Sequence, residues 1–297
     1  MLGHAREWGV VIETTFETET SLIAFGSRSA GPFESQAVVL KVSKREGDEW
    51  RSGEILQAFD GNGVARVYQH APGAVLLERL KPGKSLAELA FGGRDEEATN
   101  ILADIIEQMS MSVGEASTAH ATVLTLWEWA KAFERYTATP RGLQTAPLAT
   151  AADKVPEQLV ESAHRLYLRL CASQRDPRLL HGDLQHYNVL FDSERGWLAI
   201  DPKGVIGEVE YEIGAILRNP IEQPELFISR VSIERRIKQL TGKLNLNGER
   251  VLAWAFAQAV LSVLWDVEDG FAVDAMHPAL RLALAIQPML PSTFDVE

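Results

Sequence analysis

The sequence predicts an α+β chain of two lobes: a small N-terminal antiparallel sheet carrying one helix, then a larger and mostly helical lobe. Three observations predict it. Residues 10–16, 20–25 and 36–42 are β-branched and aromatic runs, divided by a polar turn and by a Gly- and Pro-bearing segment, which is the pattern of a meander. Residues 49–59 carry apolar groups at helical spacing and stop at Asp60-Gly61-Asn62-Gly63, after which two more strands read over residues 64–70 and 74–80. Beyond Lys81-Pro82-Gly83 the period is helical throughout, over residues 85–89, 96–119, 126–135 and 156–173 and again towards the C-terminus. The boundary therefore falls between residues 1–81 and 82–297, with a cleft expected at the junction. One short exception interrupts the helices, a hairpin of residues 189–191 and 197–200 around Asp192-Ser193-Glu194-Arg195-Gly196.

Charge narrows the function. With 29 Lys and Arg against 41 Asp and Glu, the formal net charge of −12 and the lack of a basic stripe exclude recognition of nucleic acid through its phosphates. Neutral or cationic small molecules fit better. The lone Cys171, between Leu170 and Ala172, reads as a buried helical thiol rather than a nucleophile. The N-terminus lacks the basic-then-apolar order of a secretory signal, and the longest apolar stretch, residues 253–265, is shorter than the ~20 residues that cross a bilayer. A soluble, cytoplasmic chain with no membrane partner is expected.

The densest chemical signal is His181-Gly182-Asp183-Leu184-Gln185-His186-Tyr187-Asn188, followed by the hairpin and then Ile200-Asp201-Pro202-Lys203-Gly204. Phosphoryl transfer from ATP needs a carboxylate to orient and deprotonate the attacking hydroxyl, and oxygen ligands that hold Mg²⁺ against the phosphates. Asp183 suits the first task. Asn188, on the same tight loop, and Asp201, brought alongside by the hairpin, suit the second. A competing reading takes His181, Asp183 and His186 as the metal cluster of a hydrolase, which leaves Asn188, Asp201 and Lys41 without a use.

The stretch from His181 to Pro220 resembles the catalytic segment of the aminoglycoside phosphotransferases, above all in Gly196-Trp197-Leu198-Ala199-Ile200-Asp201-Pro202-Lys203-Gly204, Gly207-Glu208 and Arg218-Asn219-Pro220. Within them it is most similar to the streptomycin 6-phosphotransferase and hydroxyurea phosphotransferase subgroup. Leu77-Glu78-Arg79, Trp265-x-x-Glu268-Asp269 and the lobe order extend the resemblance thinly over the chain. It implies a protein-kinase-like bilobal fold, ATP and Mg²⁺ as cofactors, and a small, cationic acceptor such as streptomycin, or a hydroxyurea-like compound. It also implies that His181 packs beside the metal-binding aspartate as scaffolding. Gly182 stands where many protein kinases carry an arginine that senses a phosphorylated loop, so no such switch is expected.

Upstream, Lys41 ends a β-branched strand, where a cation reaches the α- and β-phosphates. A helical carboxylate should hold it extended. Glu54 is preferred for that, because it borders the apolar face made by Ile55, Leu56 and Phe59, and Glu49 is the competitor. The turn expected to cover the phosphates, Glu17-Thr18-Glu19-Thr20-Ser21, has no glycine, so hydroxyls such as that of Ser21 must serve, and two glutamates there would repel a triphosphate unless turned away. That departure motivates a third reading, a non-catalytic kinase-like nucleotide binder. Glu78 and Leu80 are placed on the strand whose backbone would recognise adenine. Lys203 would offset charge on the moving phosphoryl group. Glu208, Glu268 and Asp269 are expected to ring the acceptor with carboxylates.

Overall fold

The structure, a computed structural model, describes residues 1–31, 34–112, 123–138 and 155–292. The chain divides into two compact units, residues 1–123 with 181–204, and residues 124–180 with 205–297. The junction expected at Lys81-Pro82-Gly83 thus lies inside the first unit. That unit also takes in the loop and hairpin of residues 181–204.

In the first unit, strands β1 (Val10–Glu17), β2 (Ser21–Gly31), β3 (Glu34–Ser43), β4 (Val67–Ala71) and β5 (Ala74–Glu78) form one antiparallel sheet in the order β1-β2-β3-β5-β4. Alternation along these strands gives the sheet two working faces. Val38 and Leu40 of β3, Ala24 of β2 and Leu76 of β5 share one buried core with Ala5 of a short helix, α1 (Leu2–Glu7). The alternate residues, Ile23, Val39, Lys41, Val75 and Leu77, line a cavity of about 540 Å³. Helix α1 was not anticipated from the sequence. A β-bulge between Ile12 and Thr14 brings the Val11 carbonyl so close to Gly26 that a Cβ there would lie 2.3 Å from the oxygen, so only glycine fits.

The helix expected over residues 49–59 is split into a 3₁₀ turn, Asp48–Arg51, and α2 (Ser52–Ala58). Then follow β6 (Pro82–Ser85), α3 (Leu86–Phe91) and α4 (Asp95–Ser112). The last part of the helix expected over 96–119 lies outside the described residues. The expected hairpin is present as β8 (Val189–Asp192) and β9 (Gly196–Ala199), with β6 as its third strand.

The second unit holds α5 (Leu126–Trp129), α6 (Lys131–Ala138), α7 (Glu157–Ala172), α8 (Val209–Arg218), α9 (Pro224–Phe227), α10 (Arg230–Leu244), α11 (Gly248–Glu268) and α12 (Pro278–Ile286). Its only sheet among the described residues pairs β7 (Arg178–Leu180) with β10 (Val205–Gly207). The helix α11 is the axis, packed by α7, α8 and α12. Its 21 residues are long and apolar enough to cross a membrane, yet 78% of its most apolar window is buried inside the protein, as suits a core helix. Around it Tyr167, Tyr211 and Trp254 meet edge to face at 5.1–6.2 Å. Cys171 is buried on α7 and its thiol is pushed up to about 12 by that burial, so it is an inert apolar group.

Candidate active site

The loop of residues 181–188 and the hairpin are tied together by hydrogen bonds through His181. Its Nε2 lies 2.9 Å from the carbonyl of Ile200, and the Asp183 amide donates to its Nδ1 at 3.3 Å. A carbonyl only accepts, so Nε2 carries the proton and the ring is neutral. Complete burial agrees, lowering the imidazole to about 4. The His181 carbonyl accepts from the amides of Lys203 and Gly204 at 3.0 and 2.9 Å, and the Asn188 carbonyl from Ile200 at 2.8 Å. Gly182 has φ +81°, a left-handed conformation that accounts for glycine at that position.

Asp183, Asn188 and Asp201 are each set by this frame. The Asn188 side-chain amide donates to the Asp183 carbonyl at 2.9 Å, which leaves its Oδ1 as the free-facing oxygen donor. Asp201 sits at φ +62°, a strained position that aspartate tolerates better than most residues. Its Oδ1 accepts from Lys41, and its carboxyl is raised, chiefly by burial and further by the charges of Glu49 and Asp183, with Lys41 opposing.

Lys41 is held by Glu49 at 2.7 Å, not by Glu54. The preference for Glu54 is thereby corrected. Glu49 lies on the 3₁₀ turn ahead of α2, whereas Glu54 lines a different hollow, of about 320 Å³, with Trp50, Arg51 and His70. The uninterrupted helix assumed from the apolar spacing hid this break. Glu49 also gathers the glycine-free turn, for Thr20 donates to it at 3.3 Å and the buried Ser21 hydroxyl at 3.4 Å. Of the two worrying glutamates, Glu17 pairs with Lys44 and Glu19 is exposed.

The cavity runs from this charged end, Lys41 and Asp201, to Glu78, Leu80 and Gly83 along the expected hinge, with Val39, Leu190 and Ile200 among its apolar walls. Its volume suits a drug-sized or nucleotide ligand. Lys41 bridges the carboxylates of Glu49 and Asp201, and the charge of Asp183 also acts on Asp201. Asp201 and the Asn188 amide oxygen are hard oxygen donors, the type that fits Mg²⁺. The hydrolase alternative fails on geometry: His181 faces a backbone carbonyl, His186 is buried 4.0 Å from Asp95, and no three His, Cys, Asp or Glu among the described residues are grouped to hold a metal.

In the second unit the expected acceptor carboxylates are mostly engaged. Glu208 is 1% exposed, and its oxygens accept from Arg250, from the Trp254 indole and from the Arg175 amide. It is a structural ion pair, so the expectation that it binds substrate is corrected. Glu212 is equally buried. Glu268 is gripped by Arg135 through two bonds of 2.8 and 2.9 Å, and Asp269 is exposed beyond the end of α11. Lys203 contributes its amide to the His181 carbonyl, as noted above. Arg195 reads in the sequence as a turn residue, yet an arginine at the tip of a short hairpin has length enough to reach a neighbouring strand, and here it reaches Glu78 of β5.

Solved structures share this architecture: a Plasmodium vivax ethanolamine kinase has a TM-score of 0.67 at 12% identity, covering 95% of this chain and 84% of that one. The choline kinase LicA of Streptococcus pneumoniae has a TM-score of 0.59 at 13% identity, covering 96% and 95%. The fold is protein-kinase-like, and the class of protein is a kinase-fold phosphotransferase acting on a hydroxyl group. Residues 9–270 match the model of the aminoglycoside/hydroxyurea antibiotic resistance kinases, and the chain belongs to that family. Its relatives include a streptomycin 3''-kinase of Klebsiella pneumoniae, 35% identical over 78% of this chain and 80% of that one. They also include a hydroxyurea phosphotransferase of Kitasatospora aureofaciens, 30% identical over 88% and 74%.

Proposed function

We propose that this ATP-dependent kinase of the antibiotic-resistance type phosphorylates a hydroxyl of a cationic aminoglycoside of the streptomycin kind, with a hydroxyurea-like compound as the second acceptor to test. The observation that carries the reading is the joining of Lys41 to Asp201, beside the Asp183 and Asn188 loop, at one end of the cavity.

In this reading the apolar walls at Val39, Leu77, Leu190 and Ile200 sandwich adenine, whose edge meets the backbone of Glu78 and Leu80. Lys41, held by Glu49, pairs with the α- and β-phosphates. Asn188 and Asp201 would hold Mg²⁺, which would supply charge neutralisation for the phosphates. Asp183 orients the acceptor hydroxyl and takes its proton as the oxygen attacks the γ-phosphorus and ADP leaves. Since the transition state is loose, positioning and charge supply most of the acceleration, and the base contributes about 10²–10⁴-fold. The Thr20 and Ser21 hydroxyls both donate to Glu49, which ties the glycine-free turn to the carboxylate that holds Lys41, and Ser21 does not line the cavity.

The test is transfer of ³²P from γ-labelled ATP to a panel of streptomycin, other aminoglycosides and hydroxyurea. Streptomycin should be labelled, and Asp183→Asn should lower kcat by about 10²–10⁴-fold. Asp201→Ala should lose at least as much. Labelling of no acceptor, or undiminished turnover in the Asp201 variant, refutes the assignment.

A further inference from the structure

Arg195 ends the turn of the β8–β9 hairpin, yet its guanidinium is largely buried against other segments of the first unit. Nη2 donates to the Gly61 carbonyl at 2.6 Å, and both Nη1 and Nη2 approach the Val64 carbonyl, at 3.5 and 3.4 Å. Nη1 also binds Oε1 of Glu78. The two side chains are 19% and 13% exposed, so the pair is well shielded from water. Glu78 is fixed a second time, its Oε1 accepting from the Arg66 amide at 2.8 Å while its own amide donates to the Arg66 carbonyl at 3.0 Å. Glu78 is the last residue of β5 and lines the cavity, at the end away from Lys41.

The geometry points to Arg195 as a positioning residue for the nucleobase: it neutralises and clamps Glu78, and so fixes the strand end against which the purine edge lies. This inference rests on the nucleotide reading of the cavity. The charged end of the cavity does not depend on the clamp. The hairpin that carries Asn188 and Asp201 at its two ends is held by other bonds, from Ser193 N to Lys81 O at 2.7 Å, from Lys81 N to the Asp192 carboxylate at 2.9 Å, and between Ala199 and the Gly63 and Ala65 backbone at 2.8 and 2.9 Å. Without Arg195 the shielded Glu78 carboxylate keeps one backbone donor and loses its counter-charge. A charge left that way drives the strand end towards water. The phosphate end should be indifferent.

The experiment is calorimetric titration of Mg-ADP and of Mg-pyrophosphate, the second of which engages the charged end alone. Arg195→Ala is expected to weaken ADP about tenfold while pyrophosphate stays within about twofold, and Arg195→Lys, which keeps the charge without the fork, should fall between. Unchanged ADP affinity in Arg195→Ala overturns the proposal, as does an equal loss for both ligands, which is what general loosening produces. Should Arg195→Ala fail to fold, Glu78→Gln removes the other charge, and the same split between the two ligands is required of it. A separate variant, Val39→Trp, fills the apolar part of the cavity and should abolish ADP binding but spare pyrophosphate. Undisturbed ADP binding in that variant refutes the nucleotide reading itself, whatever the Arg195 variants do.

Discussion

Eight positions after Lys41 the chain makes a 3₁₀ turn, and the carboxylate on that turn, not the one on the following helix, takes the lysine. Glu49 also receives the hydroxyls of Thr20 and Ser21, so a single side chain fixes both the strand lysine and the turn between β1 and β2. Glu49→Gln should therefore lower kcat/KM for ATP at least tenfold, the scale of a charge-assisted bond of about 1.5–3 kcal/mol, whereas Glu54→Gln should leave it within about twofold. Steady-state kinetics with ATP varied at saturating acceptor separates them. An equal effect of the two variants would restore Glu54 as the partner. Asp183, Asn188 and Asp201 stand out in the sequence because few structural roles ask for those polar types at that spacing after the apolar pair Leu179-Leu180, and Lys41 stands out because it ends a β-branched strand. Glu49 and Glu208 do not, since apolar periodicity shows neither a break in helical pitch nor which charges a fold will bury against each other.

Elements with a strong period were read well, and those made by pairing across the chain were not. The meander, the β8–β9 hairpin and the long helices carry their pattern locally, in alternation, in turn residues and in apolar stripes. The strands β6, β7 and β10 are three or four residues long and exist only through distant partners, and α1 has too few residues for a period to show. The loop-to-hairpin frame is also non-local, centred on a neutral His181 whose pKa is lowered to about 4 by burial. In the unfolded chain the same imidazole titrates near 6.5, so above that pH it is neutral in both states and adds no pH dependence. As pH falls from 6.5 to 4 the unfolded chain takes up a proton that the folded chain refuses. Folding stability should then drop by about 3 kcal/mol across that window from this group alone. Urea unfolding measured between pH 4 and 7 checks it: His181→Asn should flatten the slope, and an unaltered slope would mean the ring is protonated in the folded protein.

At the scale of the molecule the two units rest on different devices, a two-faced sheet in the first and an aromatic, helical core around α11 in the second. The ion pair of Glu208 with Arg250 belongs wholly to the second, where it joins the start of α8 to α11 and, through Arg250 and the Leu170 carbonyl at 3.0 Å, to α7. Truncating one partner of a buried pair leaves the other charge without compensation, so Glu208→Ala should cost about 3–5 kcal/mol. The buried Trp254 indole would lose its acceptor as well. Because every partner of Glu208 named here lies in residues 124–180 or 205–297, hydrogen exchange should quicken in α7, α8 and α11 while the amides of the five-stranded sheet keep their protection, and ADP affinity should hold. A carboxylate that held the acceptor would behave in the opposite way, raising KM for the acceptor in Glu208→Gln with little change in thermal stability. That outcome would return Glu208 to the substrate site, and a uniform loss of protection over both units would show that the pair supports the whole chain rather than its helical part.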